Sequence, residues 1–221
     1  MQIVRKIREL LLRVGGYLIP FIQQIPPLGV YVGLMTLPVI VYLVLLFSQL
    51  PPSIIEAIPS FFLRSLSSLG AFITNLIIVV GFLLVLYSSI HLQRRKKDGL
   101  VMTGPYRFVR HPQYTGLLLL TLGLTAWSYW ILSVTRGIGW LTREGTIILW
   151  YAQLFAYIVL ALIEESYLSK EFGNDHATYK RNVPFFIPYV KTNRFDIPLS
   201  ILILSLILFG VIQLELFLSV I

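Results

Sequence analysis

Cysteine is absent from this chain of 221 residues, and charged residues are scarce. Without cysteine the chain has no disulfide, zinc–thiolate site or cysteine nucleophile. Only 13% of its residues are charged, whereas 57% are hydrophobic; a soluble domain is typically about 25% charged. Several apolar runs are long enough to cross a bilayer. The composition therefore predicts an integral, multi-pass membrane protein.

Histidine is also rare, and the common nucleotide and metal motifs are missing. The three histidines are scattered without carboxylates at ligand spacing, so no metal is expected. His91 is expected at a membrane interface and His176 in a solvated helix. No Walker-type, Rossmann-type or HExxH pattern occurs. No cleavable signal is expected, because the basic N-terminus lacks a compact apolar core with a cleavage site.

Positive charge is in excess, with a formal net charge of +8. The cations lie beside apolar runs, which is the positive-inside pattern of membrane proteins and not the pattern of a nucleic-acid-binding protein. They concentrate in the N-terminal segment, in residues 91–112 and in residues 164–196. These three segments are therefore predicted to share the cytoplasmic side.

The apolar runs predict an all-α bundle of about five transmembrane helices. The expected spans are residues 28–50, 69–92, 114–132, 146–163 and 197–220, each sufficient to cross the hydrocarbon layer or nearly so. Residues 3–14 have an apolar face and a basic face, which predicts an interfacial helix lying on the membrane. Residues 53–68 are expected to form a loop at the opposite interface, and residues 164–181 a charged amphipathic stretch that follows the fourth span.

The segment GPYRFVRHPQYTG, residues 104–116, is the first candidate site. Gly104-Pro105 favours a turn, His111 is biased towards an extended conformation by the following proline, and Pro112 suits a first helical turn. A helix start exposes N–H groups and a positive dipole end that attract anions. Taken singly, Arg107, Arg110 and His111 are more typical of basic residues beside anionic lipid than of a site.

Glu164 and Glu165 are the second candidate, at the end of the fourth apolar run. Carboxylates at the mouth of an apolar helix are costly unless they are partnered or solvated. Neighbours on a helix lie about 100° apart, so only one can face fully inward. The alternative is that both simply begin a solvated helix. Facing the basic turn, they would suit a ligand with a carboxylate, an ammonium and an apolar part, such as an amino-acid-containing nucleotide or a lipid.

Both candidates resemble the motifs of one family. RHPQYTG, residues 110–116, preceded by GPYR, resembles the RHPxYxG signature of integral-membrane methyltransferases related to isoprenylcysteine carboxyl methyltransferase and the phospholipid methyltransferases. Residues 164–188 resemble that family's EExxL…FGxxYxxY…V…IP segment, at Glu164-Glu165, Leu168, Phe172-Gly173, Tyr179, Val183 and Ile187-Pro188. The resemblance covers roughly residues 100–190.

The resemblance implies a helical membrane enzyme that binds S-adenosylmethionine at the cytoplasmic face and methylates a lipophilic or small acceptor. It assigns cofactor contacts to His111, Pro112, Gln113 and Tyr114. It assigns the cofactor's amino-acid end to Glu164, with Glu165 adjacent or supporting. On this basis the chain divides into an N-terminal helix and linker (1–27), two transmembrane helices (28–92), a cofactor-binding core (93–196) and a last transmembrane helix (197–221).

Three positions depart from the family pattern. Leu160 stands where carboxyl-methylating members carry an arginine, Phe185-Phe186 stands where many carry an arginine before the IP pair, and His176 replaces a tyrosine. A carboxylate acceptor favours a bidentate arginine. The departures therefore argue against a prenylcysteine acceptor, but they do not decide between a prenylcysteine carboxylate, a phospholipid amine and a thiol.

Methyl transfer from a sulfonium requires alignment and a dry site more than acid–base chemistry. No catalytic residue is therefore assigned; Glu165 and His111 would act as a base only for an acceptor that must lose a proton. Two other functions are compatible with the sequence: a nicotinamide-dependent membrane lipid reductase, and a non-enzymatic protein that binds anionic lipid through its basic face.

Overall fold

The computed structural model describes residues 37–46, 68–95, 97, 99–134, 142–190 and 195–218. This part of the chain contains helices and no strand. The helices are α1 (Leu37–Leu46), α2 (Leu69–Arg95), α3 (Pro112–Val134), α4 (Arg143–Asn182) and α5 (Asp196–Leu218), with a short 3₁₀ helix over Gly104–Arg107 before α3.

Helices α2 to α5 are each long and apolar enough to cross a membrane, which confirms the predicted multi-pass helical class. Helix α1 lies inside the predicted first span. The rest of that span, the interfacial helix predicted over residues 3–14 and all but Ser68 of the loop predicted over residues 53–68 lie outside the described residues. The division of the chain into four segments stays a prediction.

Helix α3 occupies the centre of the bundle. In its most apolar stretch 67% of the residues are buried, against 22% to 39% in the other three long helices, and it contacts α2, α4 and α5. Trp150 of α4 is fully buried and donates from Nε1 to the Leu118 carbonyl at 3.4 Å. Tyr42 ties α1 to the same helix, with its hydroxyl 2.6 Å from Thr125 Oγ1. The site residues at the start of α3 are therefore fixed to the best-packed element.

Helices α2 and α3 pack backbone to backbone at a pair of glycines, Gly81 and Gly116. A Cβ atom built on Gly81 would lie 2.5 Å from the Leu120 nitrogen and 2.7 Å from the Gly116 carbonyl oxygen. Both neighbours are backbone atoms, so they cannot rotate aside. Small residues at such contacts let membrane helices pack backbone to backbone.

Gly81→Ala should destabilise the protein, although alanine is the better helix former. Overpacking in a close-packed interface costs about 1–3 kcal/mol, and here the added methyl group meets main-chain atoms. The matched control is Gly210→Ala in α5, because Gly210 is exposed and has nothing within 4 Å of the added methyl group. Thermal unfolding in one detergent should show a lower midpoint for Gly81→Ala only; equal midpoints would contradict the close approach.

The predicted fourth span and the charged stretch after it both lie in α4, which consists of two helical segments that meet at a kink at Gly173. The first segment continues past Ile163 because the residues after it are mostly good helix formers, and no residue before Gly173 stops the helix. At Gly173 the backbone leaves helical geometry, with φ 49° and ψ −116°. Glycine tolerates this conformation because it has no Cβ, so α4 changes direction there.

Candidate functional site

The turn before α3 is held by a contact from α2. Gly104 has φ 62°, and a Cβ there would lie 2.8 Å from the ring of His91. The same ring approaches Thr103 Oγ1 to 3.0 Å through Nε2 and stacks on Tyr106, with centroids 6.5 Å apart. His91, in the last turns of α2, therefore supports this turn. The His91 ring fits there because Gly104 has no side chain.

His111 lies between the two glutamates of α4. Its Nδ1 is 3.3 Å from Glu164 Oε2 and its Nε2 is 3.4 Å from Glu165 Oε1. Burial lowers the pKa of His111, but hydrogen bonds and the charges of both glutamates outweigh this effect and raise the pKa above its ordinary value. A ring with a carboxylate at each nitrogen is best satisfied when both nitrogens carry protons. The geometry and the raised pKa both favour the protonated, imidazolium form of His111.

Pro112 begins α3, as predicted, and fixes the direction of the His111 backbone. The His111 carbonyl accepts from the Thr115 amide at 3.0 Å and from Thr115 Oγ1 at 3.1 Å. Thr115 Oγ1 also lies 3.0 Å from the Phe186 carbonyl. The histidine is thus anchored from its own helix and from the segment after α4.

Arg110 forms a buried ionic network. Its Nη1 lies 2.9 Å from Glu165 Oε1, and its Nη2 donates to Asp196 Oδ2 at 3.2 Å. The side chains of Arg110 and Glu165 are each only 4% exposed. The guanidinium lies over the ring of Phe185, 5.2 Å from its centroid, a favourable cation–π arrangement. Asp196 is the first residue of α5, so this network joins the turn before α3 to α4 and α5 at one end of the bundle.

Lys180 also reaches Glu165, donating from Nζ to Oε2. The two residues are 15 positions apart, which is about 22 Å along a straight helix, so the ion pair depends on the reversal at Gly173. Ser169 Oγ and His176 Nδ1 lie 2.8 Å apart across the same reversal. Glu165 therefore meets three cationic groups, Arg110, His111 and Lys180.

Gly173→Ala should weaken this arrangement. A Cβ in the left-handed region costs about 1–2 kcal/mol, and nothing lies within 4 Å that would otherwise oppose the methyl group. The expected result is a lower unfolding midpoint and faster proteolysis after Lys180, because the second half of α4 is released from Glu165. Gly210→Ala is again the control. An unchanged digestion rate would show that the reversal does not depend on glycine.

Tyr106 places a buried hydroxyl beside the glutamates. The Tyr179 hydroxyl donates to the Tyr106 carbonyl at 2.7 Å, which docks the second half of α4 onto the turn. Burial and the nearby charge of Glu164 raise the pKa of Tyr106 far above its ordinary value. Its hydroxyl has no hydrogen-bond partner among the described residues. A buried O–H of this kind is suited to a polar group of a ligand.

The structure brings together three of the six residues assigned from the sequence: His111, Glu164 and Glu165. Tyr114 lines the same end, stacked on His111 with centroids 5.7 Å apart and on Tyr157 at 5.2 Å. Gln113 points the other way, since its Nε2 donates to Ser89 of α2 at 3.3 Å. Pro112 contributes backbone geometry as the first residue of α3.

Lys180 and Asp196 belong to the site and were not predicted. Lys180 lies in a charged stretch whose residues look alike in the sequence, and Asp196 resembles an ordinary acidic residue in a first helical turn. Arg110 was recognised as one of several cations in the motif, but its burial was not. No local pattern marks these residues, because their partners are 15 to 86 positions away.

The fold and the site define a multi-pass helical membrane protein with a buried ionic site at one end of its bundle. The sequence profile of the phospholipid methyltransferase family matches residues 63–175, about half of the chain, and the chain belongs to this family. The match includes both candidate motifs up to Gly173, which confirms the family resemblance.

Three curated proteins illustrate the similarity. The chain is 31% identical over 105 residues to the protein-S-isoprenylcysteine O-methyltransferase of Schizosaccharomyces pombe, covering 47% of this chain and 39% of that protein. It is 29% identical over 134 residues to the cobalt-zinc-cadmium resistance protein CzcN of Cupriavidus metallidurans, covering 57% and 55%. It is 27% identical over 102 residues to protein-S-isoprenylcysteine O-methyltransferase B of Arabidopsis thaliana, covering 46% of each.

The chain therefore spans between 39% and 55% of the length of these relatives. No solved structure matches the chain.

Proposed function

We propose that the protein is an S-adenosylmethionine-dependent membrane methyltransferase that acts on a lipophilic acceptor. The main observation in support of this proposal is that His111 lies between Glu164 and Glu165. This contact brings the two family motifs together in one buried site. Membership of the phospholipid methyltransferase family supports the methyl-transfer chemistry, and two of the similar proteins are named as methyltransferases. This combination favours methyl transfer over a nicotinamide-dependent reductase or a lipid-binding protein.

The polar groups fit the amino-acid end of the cofactor. Glu164 is 19% exposed in its side chain, compared with 4% for Glu165, so Glu164 is the carboxylate that an ammonium group would reach. The His111 imidazolium and the unpartnered Tyr106 hydroxyl are donors for a carboxylate. Tyr114 offers an aromatic face. Glu165, already surrounded by Arg110, His111 and Lys180, orients the cations and does not bind the ammonium itself.

When bound, the cofactor supplies a methyl group on a sulfonium, and its leaving group departs without charge. The protein's own residues bind and align it and keep the site dry, which favours an in-line displacement. A protonated His111 has no lone pair with which to accept a proton, and Glu165 is stabilised as a carboxylate by three cations. Neither residue suits the role of general base, so the arrangement favours acceptors that react without losing a proton in the transfer step.

The acceptor is proposed to approach within the membrane. Leu160, the position of the missing family arginine, lines an apolar groove of ≈ 460 Å³ between α1 and α4, together with Leu37, Pro38 and Phe155. This groove is suited to a hydrocarbon chain and carries no charged lining residue.

We infer that the site lies on the cytoplasmic side, because Arg94 and Arg95 end α2 and Lys180 and Arg181 end α4 at the site end of the bundle. Residues 93–196 form the proposed cofactor-binding core.

Titration calorimetry with S-adenosylhomocysteine tests this function in neutral detergent and again in lipid nanodiscs. Wild-type protein should bind the compound, and NADPH should neither bind nor raise the thermal midpoint. Incubation with a native lipid extract and isotopically labelled methyl donor should then label a lipid-soluble product. Absence of binding in both detergent and nanodiscs would refute the proposed cofactor. Stabilisation by NADPH alone would favour a reductase.

A further inference from the structure

The basic segment, residues 93–109, runs from the last turn of α2 to the turn before α3 and carries unbalanced positive charge. It contains five Lys or Arg and one Asp. Residues 164–196, which lie at the same end of the bundle, contain five Lys or Arg and five Asp or Glu, so their charges balance within that stretch. The basic segment therefore keeps an excess of four positive charges.

Helix α2 carries the first of these cations past the hydrocarbon layer. Its 27 residues make it about 40 Å long at 1.5 Å per residue, whereas the hydrocarbon core is about 30 Å thick. Arg94 and Arg95 lie in its last turn and are exposed, and Lys97 and Arg107 are exposed as well. In the proposed orientation, these cations lie at the level of the cytoplasmic lipid headgroups.

Two large apolar side chains in the same segment are also exposed. Met102 is 46% exposed, and Phe108, which follows Arg107, is 51% exposed. A bilayer interface offers phosphate groups to the cations and an apolar layer to these side chains, whereas a soluble anion offers only the charge. Exposed cations beside exposed apolar groups therefore favour an anionic lipid surface as the partner.

The basic segment is joined to the turn that carries Tyr106. The His91 ring of α2 contacts Thr103 Oγ1 at 3.0 Å and stacks on the ring of Tyr106. Arg94 lies about one helical turn after His91, and Arg107 directly follows Tyr106. Exposed cations therefore flank this contact on both sides, so a lipid surface that binds them holds the turn against α2.

We propose that the basic segment binds anionic phospholipid headgroups, and that the bound lipid strengthens cofactor binding by holding the turn with Tyr106 in place. The cations pair with the phosphate groups, and Met102 and Phe108 contact the apolar layer beneath them. This lipid is a regulator of the enzyme and not its acceptor. The regulatory part rests on the proposed function, because it concerns the affinity for the cofactor.

Thermal unfolding of the full chain in nanodiscs tests lipid binding without any cofactor. The wild-type midpoint should be about 2–4 °C higher in an equimolar mixture of phosphatidylcholine and phosphatidylglycerol than in phosphatidylcholine alone, because a ligand of the folded state stabilises it. Glycerol phosphate added to phosphatidylcholine nanodiscs should not reproduce the rise. Equal midpoints in the two bilayers, or a rise caused by the soluble phosphate, would overturn the proposal.

A pair of double variants tests whether the basic segment is responsible. Arg94→Gln/Arg107→Gln should remove at least about half of the rise, because each cation near an anionic surface contributes to binding. Arg143→Gln/Lys170→Gln removes the same charge from exposed residues outside the segment, and it should keep the rise. Equal loss in both double variants would overturn the proposal in favour of general attraction by all cations.

Titration with S-adenosylhomocysteine in the same two bilayers tests the regulatory part. Wild-type protein should bind at least about fivefold more tightly in the phosphatidylglycerol mixture, and Arg94→Gln/Arg107→Gln should bind equally in both bilayers. A higher midpoint without a change in affinity would overturn the regulation and leave only an anchor. If the wild type binds no S-adenosylhomocysteine in either bilayer, the proposed function fails, whereas the midpoints still report on the lipid surface.

Discussion

Glu164→Gln should reduce the affinity for S-adenosylhomocysteine by about ten- to a hundredfold, the effect of losing a hydrogen bond to a charged group worth about 1.5–3 kcal/mol. Glutamine keeps the shape of the side chain but lacks the negative charge that pairs with an ammonium group. Glu164 is the more exposed of the two glutamates beside His111. Titration calorimetry of the purified variant measures the loss directly.

Two comparisons make this result specific. Glu144→Gln removes a carboxylate from the first turn of the same helix, where it is exposed and contacts only Arg143 among the described salt bridges, and it should bind like wild type. The thermal midpoint of Glu164→Gln without ligand should fall less than that of Arg110→Met, because Glu165 still contacts His111. Normal affinity in Glu164→Gln would remove Glu164 from the cofactor site.

Arg110→Met should be the most destabilising single change at this end of the bundle. It leaves Glu165 and Asp196 without the guanidinium that contacts both, although Lys180 and His111 still reach Glu165. Breaking a buried ion pair by removing one partner costs about 3–5 kcal/mol, because the remaining charge is left buried. Methionine retains much of the apolar volume against Phe185. Denaturant unfolding or the thermal midpoint should show the loss.

Arg107→Met provides the matched control, since Arg107 belongs to the same motif but is exposed, and its removal should be nearly neutral. A second variant tests the cause. Combining Arg110→Met with Glu165→Gln and Asp196→Asn should recover part of the lost stability, because it removes the uncompensated carboxylates. Equal stability of Arg107→Met and Arg110→Met would show that the buried network does not hold α3, α4 and α5 together.

The sequence alone determined the class of fold and predicted which two segments meet at one end of the bundle. Apolar runs without charge must become helices in a membrane, because every backbone polar group there needs an internal partner. Pro112 set the start of α3, and the pairing of the GPYRFVRHPQYTG segment with Glu164 and Glu165 followed from the predicted topology and agreed with two family motifs. The sequence did not reveal that the first segment of α4 continues past Ile163. The residues change from apolar to charged at that point, but the backbone stays helical as far as Gly173.

Only the tertiary structure decided how these glutamates are used. Helical geometry predicted that adjacent carboxylates diverge. It did not predict that His111 lies between them, or that Glu165 forms ion pairs with Arg110 and Lys180. Those contacts depend on the reversal at Gly173 and on the packing of α5 against the start of α3, which brings Asp196 to a residue 86 positions earlier. Local periodicity reports which face of a helix is apolar. It carries no information about which distant charge meets that face, because that is fixed by the path of the whole chain.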